Sequence, residues 1–384
     1  MKKLLATAAA LGAFASSALA LDPGDLKGQQ VSADDYAALI SAAKEAKPPR
    51  NGENYVFGFA NLQRDIPFCV KTEEGIEANA SAAGIELLVT DNRLDGATAL
   101  QNAQSYVQRD VDYVIEFQTD AHFGTIIMNG FNEAGIGVTA IDIPMPGATF
   151  FGANNPRSGY MGGVYLAQAA IAEWGAEMVN NGYLVVGELP QSGPIPAMRT
   201  GGQIAGFLAI AEGFPEDHVI LIDTKNTLQE SFTQMNNVIG RIPEGVPIMG
   251  LAINDQSITG MLRATTQAGR ADDSLFVGMG ADEIETLVTE PRFIASVGYF
   301  PERYGNYLVP IALMELAGID VPPAVLVNHV IVNEENVCEY YDTFSCGEAP
   351  GFTYEFPQED FEAHLAGLRD DPDLQGVENL IPSS

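Results

Sequence analysis

The chain has 384 residues, and 51 acidic side chains against 19 lysines and arginines give it a formal net charge of −32. That balance argues against nucleic acid, whose phosphates demand cationic contacts, and against anionic membrane surfaces. A solvated acidic surface keeps such a protein soluble and says little about its ligand.

The first elements are a leader. Met1-Lys2-Lys3 is a short cationic head, "LLATAAALGAFASSA" is an apolar or small-residue core, and Ala18-Leu19-Ala20 has the small-x-small form that signal peptidase accepts. Residues 1–20 are therefore expected to be a cleavable signal peptide and Leu21 the first residue of an exported, periplasmic protein. The apolar core is shorter than the roughly 20 residues of a membrane span, and no later segment is apolar for long enough to insert. Residues 21–53 read as an N-terminal extension, a helix followed by a "KPPRNG" linker.

From Asn54 the pattern becomes regular. "YVFGFA", "IELLVTD", "VDYVIEF" and "GVTAID" read as strands, with helices over Phe68 to Ala83, Asp95 to Gln108 and Ala121 to Ala134. The pattern restarts with a helix from Gly159 to Asn180. Strands "YLVVGEL", "HVILID", "PIMGLAIND", "LFVGMGA" and "FIASVGYF" then alternate with helices. A last helix, Arg303 to Ala317, precedes a last strand, "VLVNHVIVN". Short Val- and Ile-rich strands alternating with helices predict an α/β fold of two doubly wound parallel-sheet lobes side by side.

Open parallel sheets bind ligands at the carboxyl ends of their strands. In the first lobe these are Phe59 to Phe68, Asn92 and Arg93, Gln118 to Asp120, and Asp142 to Pro146. In the second they are Pro190 to Gln203, Thr224 to Asn226, Asn254 and Asp255, Gly280 to Asp282, and Tyr299. Two facing lobes are expected to give a cleft lined by both sets. In "YVFGFANLQRDIPFCVKTEEG", Asn61, Gln63, Arg64 and Asp65 stand between a strand and a helix where a turn would suffice, which points to a loop that grips a small ligand.

No catalytic motif holds. There is no G-x-x-x-x-G-K-[ST], no H-E-x-x-H and no G-x-S-x-G, and the four histidines are scattered at 122, 218, 329 and 364. "GMGADE" at Gly278 lacks the third glycine of a dinucleotide fingerprint. No cofactor or metal is expected. Cys338 and Cys346 in "NVCEYYDTFSCGEAP" read as a local disulfide of an oxidising compartment, and Cys69 as a small buried hydrophobe or a pocket residue.

The stretches "IPFCVKTEEGIEANASAAGIELLVTD", "DVDYVIEFQTDA", "NEAGIGVTAIDIP", "FFGANNPRSGYMGG" and "AINDQSITGMLRATTQAGR", in this order and spacing, carry a family resemblance. The chain from about Tyr55 to Asn336 resembles the type I periplasmic binding proteins, specifically the ribose-like sugar-binding components of ABC importers. The resemblance implies three crossings between lobes, near Asn154, Phe300 and Pro323, which form a three-segment hinge. The expected domains are residues 54–154 with 300–323, residues 155–299 with 324–336, and an acidic extension over 337–384.

The resemblance also assigns roles. Phe68 matches an aromatic that stacks on a sugar ring, Asp142 an acceptor of sugar hydroxyls, and Asn254 the Asn of an "N-D" pair. The departures are as informative. Ile143 follows the Asp where Arg is usual, and Gln203 stands where a second Arg is usual, with Arg199 one turn earlier. Cys69 replaces a second aromatic, Gly280 an Asp, and Tyr299 a hinge Gln. Phe59, Asn61, Arg64, Phe68, Asp142, Arg199, Gln203, Asn254 and Tyr299 are the expected ligand set, with Arg64 or Arg199 replacing a lost anchor. Simpler roles compete: a surface ion pair for Arg64, core packing for Phe68, and caps or turns for Asp142 and Asn254.

What the resemblance implies is an extracytoplasmic receptor, a monomer, that binds a monosaccharide, polyol or related small carbohydrate and delivers it to an inner-membrane permease by lobe closure. The alternatives are a sensing subunit for a chemoreceptor or kinase, and a binder of a sugar acid. A DNA-binding repressor of the same architecture is disfavoured by the leader and the lack of a basic helix-turn-helix. An exported hydrolase has no motif to support it.

Overall fold

A computed structural model describes residues 30–118 and 120–382; the expected signal peptide lies outside them. Two compact units divide the chain. The first holds the residues up to Asp65, then Cys69–Gly152 and Pro301–Asn328; the second holds Ile66–Phe68, Ala153–Phe300 and the chain from His329 onward.

The first unit begins with helix α1 (Ala33–Ala46), capped by Ser32, whose hydroxyl accepts the Asp35 N–H at 3.1 Å. The expected linker after it is packed rather than free. The Arg50 N–H donates to buried Asp112 at 2.8 Å, and the Arg50 guanidinium donates to the carbonyls of Ala134 and Gly135 at 2.8 and 2.9 Å. There follow β1 (Val56–Asn61), α2 (Pro67–Ala82), β2 (Glu86–Asp91), α3 (Gly96–Gln108), β3 (Tyr113–Glu116), α4 (Gly124–Ala134), β4 (Gly137–Ile141) and β5 (Thr149–Ala153).

The second unit carries α5 (Asn155–Trp174), α6 (Ala176–Asn181), β6 (Tyr183–Glu188), α7 (Pro194–Ile210), β7 (Val219–Asp223), α8 (Leu228–Ile239), β8 (Ile248–Ala252), α9 (Asp255–Gln267), β9 (Ser274–Gly280), α10 (Ile284–Thr289) and β10 (Phe293–Gly298). The chain returns to the first unit for α11 (Gly305–Leu316) and β11 (Ala324–Val327). It ends in the second with β12 (Val330–Val332), α12 (Val337–Tyr340) and α13 (Gln358–Asp370).

The first sheet has the order β11-β5-β4-β3-β1-β2 and the second β12-β10-β9-β8-β6-β7. The ladders are parallel from β2 through β5 and from β7 through β10, while β12 runs antiparallel to β10. Helices on both faces leave no wet side, so every residue of β8 and β9 is buried.

The structure corrects three expectations. "VLVNHVIVN" is not one strand: Asn328 and His329 divide it into β11 on the first sheet and β12 on the second. The last passage between units therefore falls at Asn328–His329 rather than at Pro323. The Pro323 carbonyl still accepts the Phe150 N–H on the first sheet, at 3.0 Å. β5 was not anticipated, and the helix expected from Gly159 to Asn180 starts at Asn155 and is interrupted at Gly175, whose φ is 79°.

One packing feature positions the site. A Cβ on Gly159 would lie 1.9 Å from the Arg199 carbonyl oxygen, and one on Gly163 2.0 Å from that of Gln203. Only glycine lets α5 approach α7 this closely, and the contact seats the two α7 residues that the sequence singled out. The extension after β12 stays on the second unit. Its Cys338 and Cys346 form a disulfide, and Phe356 and Phe361 pack 5.7 and 5.2 Å from Tyr160.

Candidate ligand-binding site

In the second unit, Arg199 and Gln203 lie one helical turn apart on α7 and reach consecutive carbonyls at the carboxyl end of β8. Arg199 Nη1 donates to Ile253 O at 2.8 Å and Gln203 Nε2 to Ala252 O at 2.8 Å. Arg199 Nε also donates to Asn155 Oδ1 at 3.0 Å. Gln203 Oε1 is buried with no hydrogen-bond partner, as is Ser192 Oγ in the turn that leads into α7. Both are orphans that a ligand or water must satisfy.

The Arg199 guanidinium lies 4.8 Å from the Tyr299 ring centroid, and the Tyr299 hydroxyl donates to Ser158 Oγ at 2.7 Å. Phe68 meets Tyr299 edge-on, with centroids 6.2 Å apart. These residues give the second unit an apolar ring pair beside fixed donors and an open acceptor. Behind Tyr299, His329 is fully enclosed. Its Nε2 accepts the Asn154 N–H and its Nδ1–H donates to Gly298 O, both at 3.0 Å. A backbone N–H can only donate, so this ring is neutral and protonated on Nδ1. Burial, above all, lowers its pKa to about 3, and Arg199 and Arg157 push the same way.

Asn254 caps α9. Its Oδ1 accepts the Ser257 N–H at 2.8 Å and its Nδ2 donates to Asn226 Oδ1 at 2.7 Å, so both ends of the amide serve the fold. Asp255 is buried and ties α9 to the turn after β9, accepting from Ser296 Oγ at 2.6 Å and from the Asp282 N–H at 3.0 Å. In that turn Gly280 has φ 129°, and a Cβ there would lie 2.1 Å from Asp282 Oδ1. At this φ any side chain would be strained, which accounts for the missing acid.

In the first unit, Asn61 ends β1. Its Nδ2 donates to Cys69 O at 3.0 Å and to Glu73 Oε2 at 2.8 Å, while its Oδ1 is buried without a partner. Arg64 grips the same Glu73 with two donors, Nε to Oε2 at 2.8 Å and Nη2 to Oε1. Gln63 Nε2 donates to Asp65 at 2.9 Å. The polar loop thus binds its own helix, and Arg64 follows its ion-pair alternative, with a helix carboxylate as partner. Asp142 follows β4 with φ 54°, and its carboxylate fills the space a side chain at Gly152 would need, 2.3 Å from that Cβ. Phe59 is wholly enclosed in central β1, between Val89 and Ile115 on the neighbouring strands.

Sequence reasoning missed Glu116. It ends β3, fully buried, with the small residues Ala60 and Ala140 opposite it. Asn92 Nδ2 donates to its Oε1 at 3.0 Å, and its Oε2 has no partner. Burial raises its pKa to about 8, against the Asn92 hydrogen bond, which lowers it. Among the described residues no group of three or more His, Cys, Asp or Glu could hold a metal ion, and no helix is long and apolar enough to cross a membrane.

Two six-stranded, mainly parallel sheets, one in each unit, define the bilobal α/β binding-protein class. The chain belongs to the periplasmic binding protein domain family, whose model matches residues 57–320. It is similar to the ribose import binding protein of Bacillus subtilis, 23% identical over 278 residues that cover 70% of this chain and 85% of the relative. Two solved structures share the fold. One is an ABC transporter solute-binding protein from Bacillus halodurans with bound myo-inositol (TM-score 0.63, 21% identity, 76% of this chain and 98% of that one). The other is a solute-binding protein from Mycobacterium smegmatis with bound glycerol (TM-score 0.65, 20% identity, 79% and 100%).

Proposed function

We propose that the protein is an exported solute receptor of an ABC importer that binds a monosaccharide, polyol or related small carbohydrate at the carboxyl ends of its strands. The observation that carries the reading is the second unit's set of Phe68, Tyr299, Arg199 and Gln203: two rings, one guanidinium and a buried carbonyl oxygen with no partner. A sugar offers the complement, an apolar C–H face with hydroxyls around its rim. The similarity to a ribose import binding protein and to structures that hold myo-inositol and glycerol supports the same chemistry. The receptor works in the periplasm as a monomer, hands its solute to an inner-membrane permease, and binds without catalysing.

Thermal unfolding of the purified protein against pentoses, hexoses, polyols, sugar acids, nucleosides and short peptides tests the reading. A ligand at about 100 times its dissociation constant stabilises the native state by ~2.7 kcal/mol, a readily visible shift. A shift with a sugar or polyol that is lost in Gln203→Ala supports the proposal. A response confined to nucleosides or peptides defeats it.

A further inference from the structure

The extension beyond the family-matched residues 57–320 touches the backbone that carries Tyr299. Two residues close to Tyr299 by sequence or by hydrogen bonding have left-handed backbone. Phe300, its successor, has φ 56°. Ala281, with φ 54°, directly follows Gly280, whose carbonyl accepts the Tyr299 N–H at 3.0 Å. L-residues hold this conformation only where the surroundings enforce it. Ser296 Oγ supplies one restraint, accepting the Ala281 N–H at 2.9 Å.

Tyr341 supplies restraint at both places. Its hydroxyl donates to the Ala281 carbonyl, and its ring lies 6.0 Å from that of Phe300. Tyr340 meets Phe300 as well, tilted, with ring centroids 5.3 Å apart. The segment that presents both tyrosines is closed by the Cys338–Cys346 disulfide. All these residues belong to the second unit.

We infer that Tyr341 is a positioning residue for the solute site, clamping Ala281 and Phe300 so that the Tyr299 ring stays against Arg199 and Phe68. The inference rests on the receptor reading above for its functional consequence, while its structural part stands alone. Without Tyr341 the two left-handed residues relax, and Tyr299 leaves the place where it stacks on the guanidinium. A tail outside the family-matched region thus sets the shape of the site. The disulfide restricts the tail, so its two cysteines act through Tyr341 and not by touching solute.

The test is site-resolved amide hydrogen exchange on the full exported chain, comparing wild type with Tyr341→Phe and Tyr341→Ala. Exchange at the Tyr299 amide should quicken about tenfold in the alanine variant and less in the phenylalanine variant, which retains the ring contact. Amides in the remote β6–β7 ladder should not change. Titration calorimetry with D-ribose and myo-inositol should show affinity falling about tenfold in Tyr341→Ala and recovering most of it in Tyr341→Phe. If stability falls while Tyr299 exchange and affinity stay at wild-type values, Tyr341 only packs, and the inference is overturned. If the alanine variant loses protection everywhere, the phenylalanine variant, which deletes one hydroxyl, decides. If wild type binds neither probe, the receptor reading is at fault for these solutes, and the Tyr299 exchange result alone judges the positioning role.

Discussion

Glu116→Gln should flatten the pH dependence of stability. Glu116 is fully buried, receives one hydrogen bond from Asn92, and has a pKa of about 8 against an ordinary value of 4.5. Below pH 4.5 both folded and unfolded chains carry the proton. Between pH 4.5 and 8 the unfolded chain releases it and the folded chain keeps it, so stability declines as pH rises; above 8 the decline stops. The window is about 3.5 pH units wide, and at 1.36 kcal/mol per unit the loss comes to about 5 kcal/mol. Glutamine keeps an acceptor for Asn92 and has no charge to bury. Urea unfolding at pH 5, 6.5 and 8, followed by amides of the first unit, measures the effect. The variant should gain on wild type steadily with pH, approaching that figure at pH 8. Parallel stability curves for the two proteins would refute the argument that burial governs this carboxyl.

His329→Gln should act in the opposite direction on the acid side. The native ring is neutral with a pKa of about 3, so its contribution is complete above about pH 6.5 and is lost as pH falls toward 3. Glutamine can make the same two bonds to Asn154 and Gly298, and acid titration of the second unit's circular dichroism should become shallower in that window; an unchanged titration argues against it. Arg64→Ala should leave solute affinity within about twofold and cost about 1 kcal/mol of stability, because Arg64 spends its donors on Glu73. Calorimetry that finds affinity abolished would place Arg64 on the solute instead.

Most of the fold was legible because most buried strands are short apolar runs between helices, a pattern that both-face burial enforces; β5, "TFFGA", with no Val or Ile, was not. The division of "VLVNHVIVN" was not, since an apolar run does not reveal which sheet each half joins. What divides it is tertiary: His329 bonds to Asn154 and Gly298, far away in sequence. In the candidate site, Arg199 and Gln203 were singled out through the family resemblance, as departures at and one turn before a position where Arg is usual. Asn254 and Arg64 were readable only as alternatives, because capping and ion pairing use the same atoms as ligand binding. Glu116 escaped because its meaning lies in burial, not in its neighbours along the chain. Tyr341 escaped because the tail has no periodic pattern, and its contacts run to Ala281 and Phe300.

The central claim is that the strand-end residues hold a neutral, hydroxyl-rich solute. Titration calorimetry of the purified protein with D-ribose, myo-inositol, glycerol and a sugar acid tests it most directly, with Gln203→Ala run beside the wild type. The account predicts one-to-one binding of a neutral sugar or polyol. It also predicts affinity about tenfold or more weaker in the variant, whose buried acceptor Gln203 Oε1 has been removed. Heat from the sugar acid alone, or equal affinity in the two proteins, would contradict it.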